Sequence, residues 1–252
     1  MKSLIPTAIF RHKLLVISIA LVLALAVGAL IIGLQGNNFA NSMQQTITQS
    51  KSKVAVKLDA MTDQLKSKDT RNKIAGLLAV KAELKDSITC EESQQWWQFT
   101  VQYGQATAEC ALHRKESMAL MKGVSDLVDL LQYDMDTRAV LAPALGVKTT
   151  EEKLFTAHRN IWRAARDAQQ SAKPPEAART VNDTLIRDLS ATVQGWDALI
   201  SANRAHDAAA FSKAQKTLAK TYDNFPVRAA EFESSLQAAE RHLLTAYSAF
   251  IN

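Results

Sequence analysis

The chain has 252 residues, with 30 Lys and Arg, 25 Asp and Glu and five His, giving a formal charge of +5. Gly and Pro are scarce, eight and five, and strand-like alternation is absent, so collagen-like, low-complexity and mostly-β architectures are excluded and a nearly all-α fold is expected. Three of the cations, Lys2, Arg11 and Lys13, crowd the N-terminus; the other 27 nearly balance the 25 acids, which leaves +2 and no basic patch suited to nucleic acid.

Leu14 to Leu34 is an uncharged apolar run. At ~1.5 Å per residue it spans roughly 30 Å, the hydrocarbon thickness of a bilayer. The preceding cations, with no acid among them, predict a cytoplasmic stub over 1–13, a membrane anchor over 14–34 and an exported remainder. Ala24-Leu25-Ala26 could serve as a signal-peptide cleavage site, but the apolar run continues well past it, beyond the ~7–15 residues of a signal core, which favours an uncleaved anchor. The expected setting is a bacterial inner membrane crossed once, with the C-terminal part in the periplasm.

Past the anchor, Ile47, Val54, Leu58, Met61 and Leu65 form a narrow seam of coiled-coil type, so 35–68 reads as a helical stalk. Asp69 is a candidate N-cap for a helix carrying Ile74, Leu77, Leu78, Lys81, Leu84 and Ile88. Thr89 and Glu92 fit a capping box, and Trp96, Phe99 and Tyr103 share one face of the helix it would start. A helical pattern continues through Met118, Met121, Val124, Leu127 and Leu131 to a stop at Ala142-Pro143-Ala144-Leu145-Gly146. Thr149 and Glu152 form a second box, opening a helix with Leu154, Phe155, His158, Ile161, Trp162 and Ala165 on one side. Pro175 then introduces a helix with Val181, Leu185, Leu189, Trp196, Leu199 and Ile200. Asp207 caps a shorter one, Asp223-Asn224-Phe225-Pro226 breaks the chain, and the last helix carries Phe232, Leu236, Ala239, Leu243, Ala246 and Phe250 at heptad spacing. The expectation is a bundle over 69–252 of five to seven helices, antiparallel because the connections are short.

Cys90 and Cys110 are the two cysteines, and in an exported domain they are expected to pair. The bridge would close a 21-residue loop, worth roughly 3 kcal/mol. One continuous helix would hold them ~30 Å apart, whereas bridged Cα atoms lie within ~7 Å. A bend is therefore required, and Gly104 is the expected place, between a helix over about 91–102 and a new helix carrying Cys110.

Other candidate sites are weaker. Glu109, His113 and Glu116 fall at i, i+4 and i+7 and could hold a metal, although a solvated helical face explains them more simply. Asp126, Asp129, Tyr133 and Asp136 read as an outward polar face. Trp162 and Trp196 lie in core stripes, whereas Trp97 diverges from the Trp96 face by about 100° and is a candidate contact surface. No nucleophile elbow, phosphate loop, HExxH or CxxCH is present, so no enzyme and no cofactor is expected.

In layout the chain resembles the helical sensor domains of bacterial chemoreceptors: a basic stub, a membrane helix, then a helical bundle. It is expected to depart from them in lacking a return membrane helix and a cytoplasmic signalling part. Two functions are consistent with the whole. The first is a non-enzymatic interaction or scaffold subunit of an envelope assembly, using the two seams for self-association or for a membrane or periplasmic protein partner. The second is a ligand-binding or sensing module that works through an output partner, with a pocket between helices beside Trp97 or Trp162.

Overall fold

The computed structural model describes residues 7–65, 69–87, 96–146 and 152–251. Among them are seven α-helices and no strand: α1 (Thr7–Leu65), α2 (Thr70–Ser87), α3 (Val101–Leu145), α4 (Phe155–Ser171), α5 (Arg179–Arg204), α6 (Ala208–Tyr222) and α7 (Asn224–Ile251). Short 3-10 turns at Trp96–Phe99, Glu152–Leu154 and Glu176–Ala178 precede α3, α4 and α5.

α1 is a single helix of 59 residues, roughly 90 Å at 1.5 Å per residue. It is long and apolar enough to cross a membrane. Along its apolar stretch Leu21, Leu23, Leu25, Val27, Leu30 and Leu34 are all exposed, as a lipid-facing surface would be. Farther along the same helix, Ile47, Val54 and Leu58 are buried.

That seam is not a free coiled-coil edge. Val54 and Leu58 belong to a core shared with Leu77, Val80 and Leu84 of α2, Leu120 to Leu131 of α3 and Phe232 to Phe250 of α7. The core therefore spans both sides of residues 66–68, and the expected stalk is a bundle member over its buried part. On α2 the buried positions are Leu77, Val80 and Leu84; Leu78, expected in the stripe, is exposed.

Paired contacts fix how these helices lie together. Phe39 stacks on Tyr103 at 5.0 Å and Ser50 hydrogen-bonds His113 at 3.2 Å, so numbers rise together on α1 and α3. Tyr133 meets Phe232 at 5.8 Å and His113 meets Phe250 at 5.3 Å, so numbers fall on α7 as they rise on α3. A second core is built from α4, α5 and α6, with Ala144 at the end of α3 and Phe225 at the start of α7.

The boundaries follow local chemistry. The Arg71 amide donates to Asp69 Oδ1 at 2.9 Å and the Ala210 amide to Asp207 Oδ1 at 2.9 Å, so both expected acidic caps are in place. α3 stops at Leu145, just after Pro143, with Gly146 as its C-cap. The bend before α3 falls at Thr100, not Gly104. Thr100 is extended and accepts the Tyr103 amide at 3.2 Å, and Gly104 lies inside the first turns of α3. The break separates Phe99 from Tyr103, so the two do not share a helical face, and Phe99 is exposed where the spacing placed it in a core. The capping box at 89–92 and the start of the box at 149–152 lie outside the described residues.

α3 and α7 approach closely at Gly123. A Cβ there would lie 3.4 Å from Leu243 Cα and 3.5 Å from its Cδ1, an ordinary contact, so Ala fits and a branched chain does not. Gly123→Ala should hold stability or raise it by up to about 1 kcal/mol through helix propensity, and Gly123→Ile should cost about 1–3 kcal/mol by overpacking. Urea unfolding of the two variants checks the ordering.

Candidate functional site

Among the described residues, an apolar cleft lies where the two cores meet. It has a volume of about 340 Å³ and is lined by α3 from Tyr133 to Leu145, by Val181, Asn182 and Leu185 of α5, and by Phe225, Arg228, Ala229 and Phe232 of α7. This is the low end of the ~300–1,000 Å³ usual for small-molecule sites. Its walls are hydrocarbon and aromatic, with polar groups gathered at defined points.

One such point is a buried network joining three helices. The Tyr133 hydroxyl donates to Asn182 Oδ1 at 2.6 Å, and Gln169 Nε2 donates to the same oxygen at 2.8 Å and to the Tyr133 oxygen. Gln169 is 1% exposed. Burial pushes the Tyr133 hydroxyl pKa up, so it stays a neutral donor. Tyr133 was expected on an outward acidic face; Asp126, Asp129 and Asp136 are exposed, but Tyr133 turns inward because its ring packs on Phe232 and its oxygen finds Asn182.

The rim carries two ion pairs. Arg138 Nε donates to both oxygens of Asp134 at 2.8 Å. Arg228 Nε donates to Asp188 Oδ2 at 2.9 Å, while Asn224 donates to Asp188 Oδ1 at 3.0 Å, tying α7 to α5. Both guanidinium groups are thus already neutralised, and the cleft presents no unpaired cation to a strongly anionic ligand.

Trp162 does not line the cleft. It stacks on Phe225 at 5.1 Å, and Phe225 does line it, so the tryptophan forms the layer behind the wall. Trp97 lies within the 96–99 turn, distant in the fold from this cleft, and its side chain lies outside those described.

The metal candidate does not assemble. Glu109 is exposed, His113 is buried with Nε2 on Ser50, and Glu116 faces Lys51 at 3.9 Å. Among the described residues no group of three His, Cys, Asp or Glu could hold a metal ion. Cys110 is buried on α3 and is not a free thiol. Cys90 lies outside the described residues, three positions beyond the end of α2. The break at Thr100 interrupts the chain between positions 90 and 110, as a bridge requires. Intact-protein mass under non-reducing alkylation of the full chain is expected to find no modified thiol; two alkylated cysteines would exclude the bridge.

The chain matches no protein-family model, no curated protein and no solved structure.

The spacing had marked His158 as core, and its environment is unusual. It is 5% exposed, its ring lies 5.4 Å from Trp196, and neither ring nitrogen has a hydrogen-bond partner among the described residues. Burial pushes its pKa below the ordinary 6.5. Below pH 6.5 the unfolded chain takes up a proton that the folded chain refuses, so stability should fall as pH drops from there towards the folded-state pKa. His158→Phe should flatten that part of the profile and, by removing unpaired buried nitrogens, add about 1–3 kcal/mol. Thermal melts of both proteins from pH 7.5 to about 5 check the direction.

Proposed function

We propose that the chain is a membrane-tethered sensing module that binds a compact, mainly apolar ligand in the cleft between α3, α5 and α7. α1 anchors it in a bacterial inner membrane with the N-terminal stub in the cytoplasm; the remaining helices form an antiparallel bundle in the periplasm and act, without enzymatic chemistry, through an output partner. The observation that carries this reading is the position of the cleft. It lies at the junction of two packed clusters, on the two helices, α3 and α7, that continue to α1.

The chemistry of the walls limits the ligand. Leu141, Leu145, Val181 and Leu185 favour an aromatic or branched hydrocarbon body. The Tyr133–Asn182 pair favours a neutral polar group at one end, because both rim arginines are already paired. Seating such a ligand against Phe225 and Phe232 would bias how α7 lies on α3. α7 also contacts α1, through Tyr247, whose hydroxyl donates to Asp59 Oδ1 at 3.2 Å. A change at the cleft thus has a packed route towards the anchor.

The scaffold expectation drew on the seams of α1 and α7. Val54, Leu58, Phe232, Leu236, Leu243 and Phe250 are all covered by the chain's own helices, so the described part of each seam is filled from within the chain. This favours the ligand-binding reading.

Thermal denaturation of the full chain in nanodiscs, against a panel of small phenols, aromatic amides and branched-chain alcohols, tests it. A ligand at 100 times its Kd adds about 2.7 kcal/mol, or roughly 5–10 °C. Ala229→Trp, which fills the exposed side of the cleft, should abolish the shift while leaving the unliganded Tm close to wild type. A shift that survives Ala229→Trp would place binding elsewhere.

A further inference from the structure

The 96–99 turn sits at an informative height. A Cβ at Gly36 of α1 would meet the Thr100 side chain, with Thr100 Cβ at 3.1 Å, so only glycine permits this approach. Gly36 is two residues past Leu34, about 3 Å along a helix axis. One turn on, Phe39 stacks on Tyr103. Because numbers rise together on α1 and α3, the turn that precedes Thr100 lies towards the apolar end of α1, and it touches α1 directly.

The composition at this end is unusual too. Residues 14–50 carry no charge, and neither do residues 93–108; the two stretches meet at the Gly36–Thr100 contact. Residues 35–50 and 93–108 are both rich in Gln, Ser and Thr. Within them Phe99 is 85% exposed and Val101 72%, although both are large and apolar. The same turn contains Trp96 and Trp97. Tryptophan favours the layer between headgroups and hydrocarbon, and an aromatic exposed there needs no protein partner.

We infer that the Trp96–Phe99 turn, with Val101, is a second membrane contact that rests in the interfacial layer of the bilayer beside the exit of α1. The occupant of this exposed apolar surface is lipid, because the turn touches α1 within about one helical turn of the end of its exposed apolar stretch. The contact would fix the height and tilt of the helices above the anchor. It rests on the reading of α1 as a membrane span.

The test uses the full chain in phosphatidylcholine–phosphatidylglycerol vesicles, with part of the phosphatidylcholine brominated either near the headgroup end or near the methyl end of its acyl chains. The chain has four tryptophans, and Trp162 and Trp196 are buried in the second core. Shallow bromines are expected to quench roughly half the tryptophan emission, more than deep bromines do. Phe99→Glu/Val101→Glu, both at exposed positions, should lose most of that quenching with an unchanged circular dichroism spectrum. Trp96→Leu/Trp97→Leu should remove the quenched component and identify its source. Flotation of each sample with the vesicles reports α1 insertion separately. A protein that floats without quenching overturns this contact and leaves the anchor intact; one that does not float overturns both. Equal quenching in wild type and the double glutamate variant also overturns it.

Discussion

Val101–Leu145 is 45 residues long, about 68 Å at 1.5 Å per residue, and its buried stripe has to be covered along that whole length. Ala106, Cys110, His113, Ser117, Leu120, Val124, Leu127 and Leu131 follow one another at alternating steps of four and three, the spacing that keeps one face turned to its neighbours. No single short helix can cover such a face. α1 and α2 cover its first half, α7 follows it from Phe250 to Phe232, and α4 takes over towards its end. The division into two cores is a consequence of this change of partners along one helix. The cleft lies beside the change, where side chains from α3, α5 and α7 leave a gap that none of them fills.

Polar groups fix the hand-over more sharply than apolar contact could. Hydrocarbon packing tolerates a slipped register at modest cost, but a buried hydroxyl and two buried amides must all find partners or lose several kcal/mol. Tyr133, Gln169 and Asn182 come from α3, α4 and α5 and hydrogen-bond one another, with Thr137 of α3 also within reach of Gln169. Asp188 plays the corresponding part between α5 and α7, with one oxygen on Asn224 and the other on Arg228. The walls of the cleft are therefore held in register by groups adjoining it, which leaves its interior free to be apolar.

Much of the fold was legible because its signals were local. Asp69, Asp207 and the Pro143–Gly146 stop act through backbone groups a few residues away, and the Phe232–Phe250 heptad is written in large apolar residues. What was missed had the opposite character. The first half of the α3 stripe is Ala, Cys, His and Ser, so its periodicity carries almost no hydropathy, and exposed Met118 looked like a better core residue. Gln169 reads as surface until Asn182 and Tyr133 are known to face it. The bend at Thr100 was misplaced because a glycine is a visible breaker while a threonine cap depends on its own extended backbone. The α1 seam was read correctly as a seam, but its spacing could not say whether another chain or this one would fill it. The cleft was invisible for the same reason: its walls come from three segments distant in sequence.

The filled seams also bear on how a small ligand could act at a distance. α7 reaches from Phe225 and Phe232 in the cleft wall to Phe250, which packs on His113 and lies 5.9 Å beneath the Lys51 ammonium of α1. Midway, Leu236 and Leu243 pack into the core with Leu120, Val124 and Leu127 of α3, and Gly123 lets the two helices approach closely there. A helix packed along its whole length against one neighbour moves as a unit, so a displacement at one end carries to the other. On the sensing reading, α7 is the element whose position a ligand would bias, and the α1 face around Lys51 and Asp59 is where that bias would arrive. The membrane-side contact at 96–99 matters in the same scheme, because a small displacement of α7 against α1 has directional meaning only if α3 and α1 are themselves fixed relative to the bilayer.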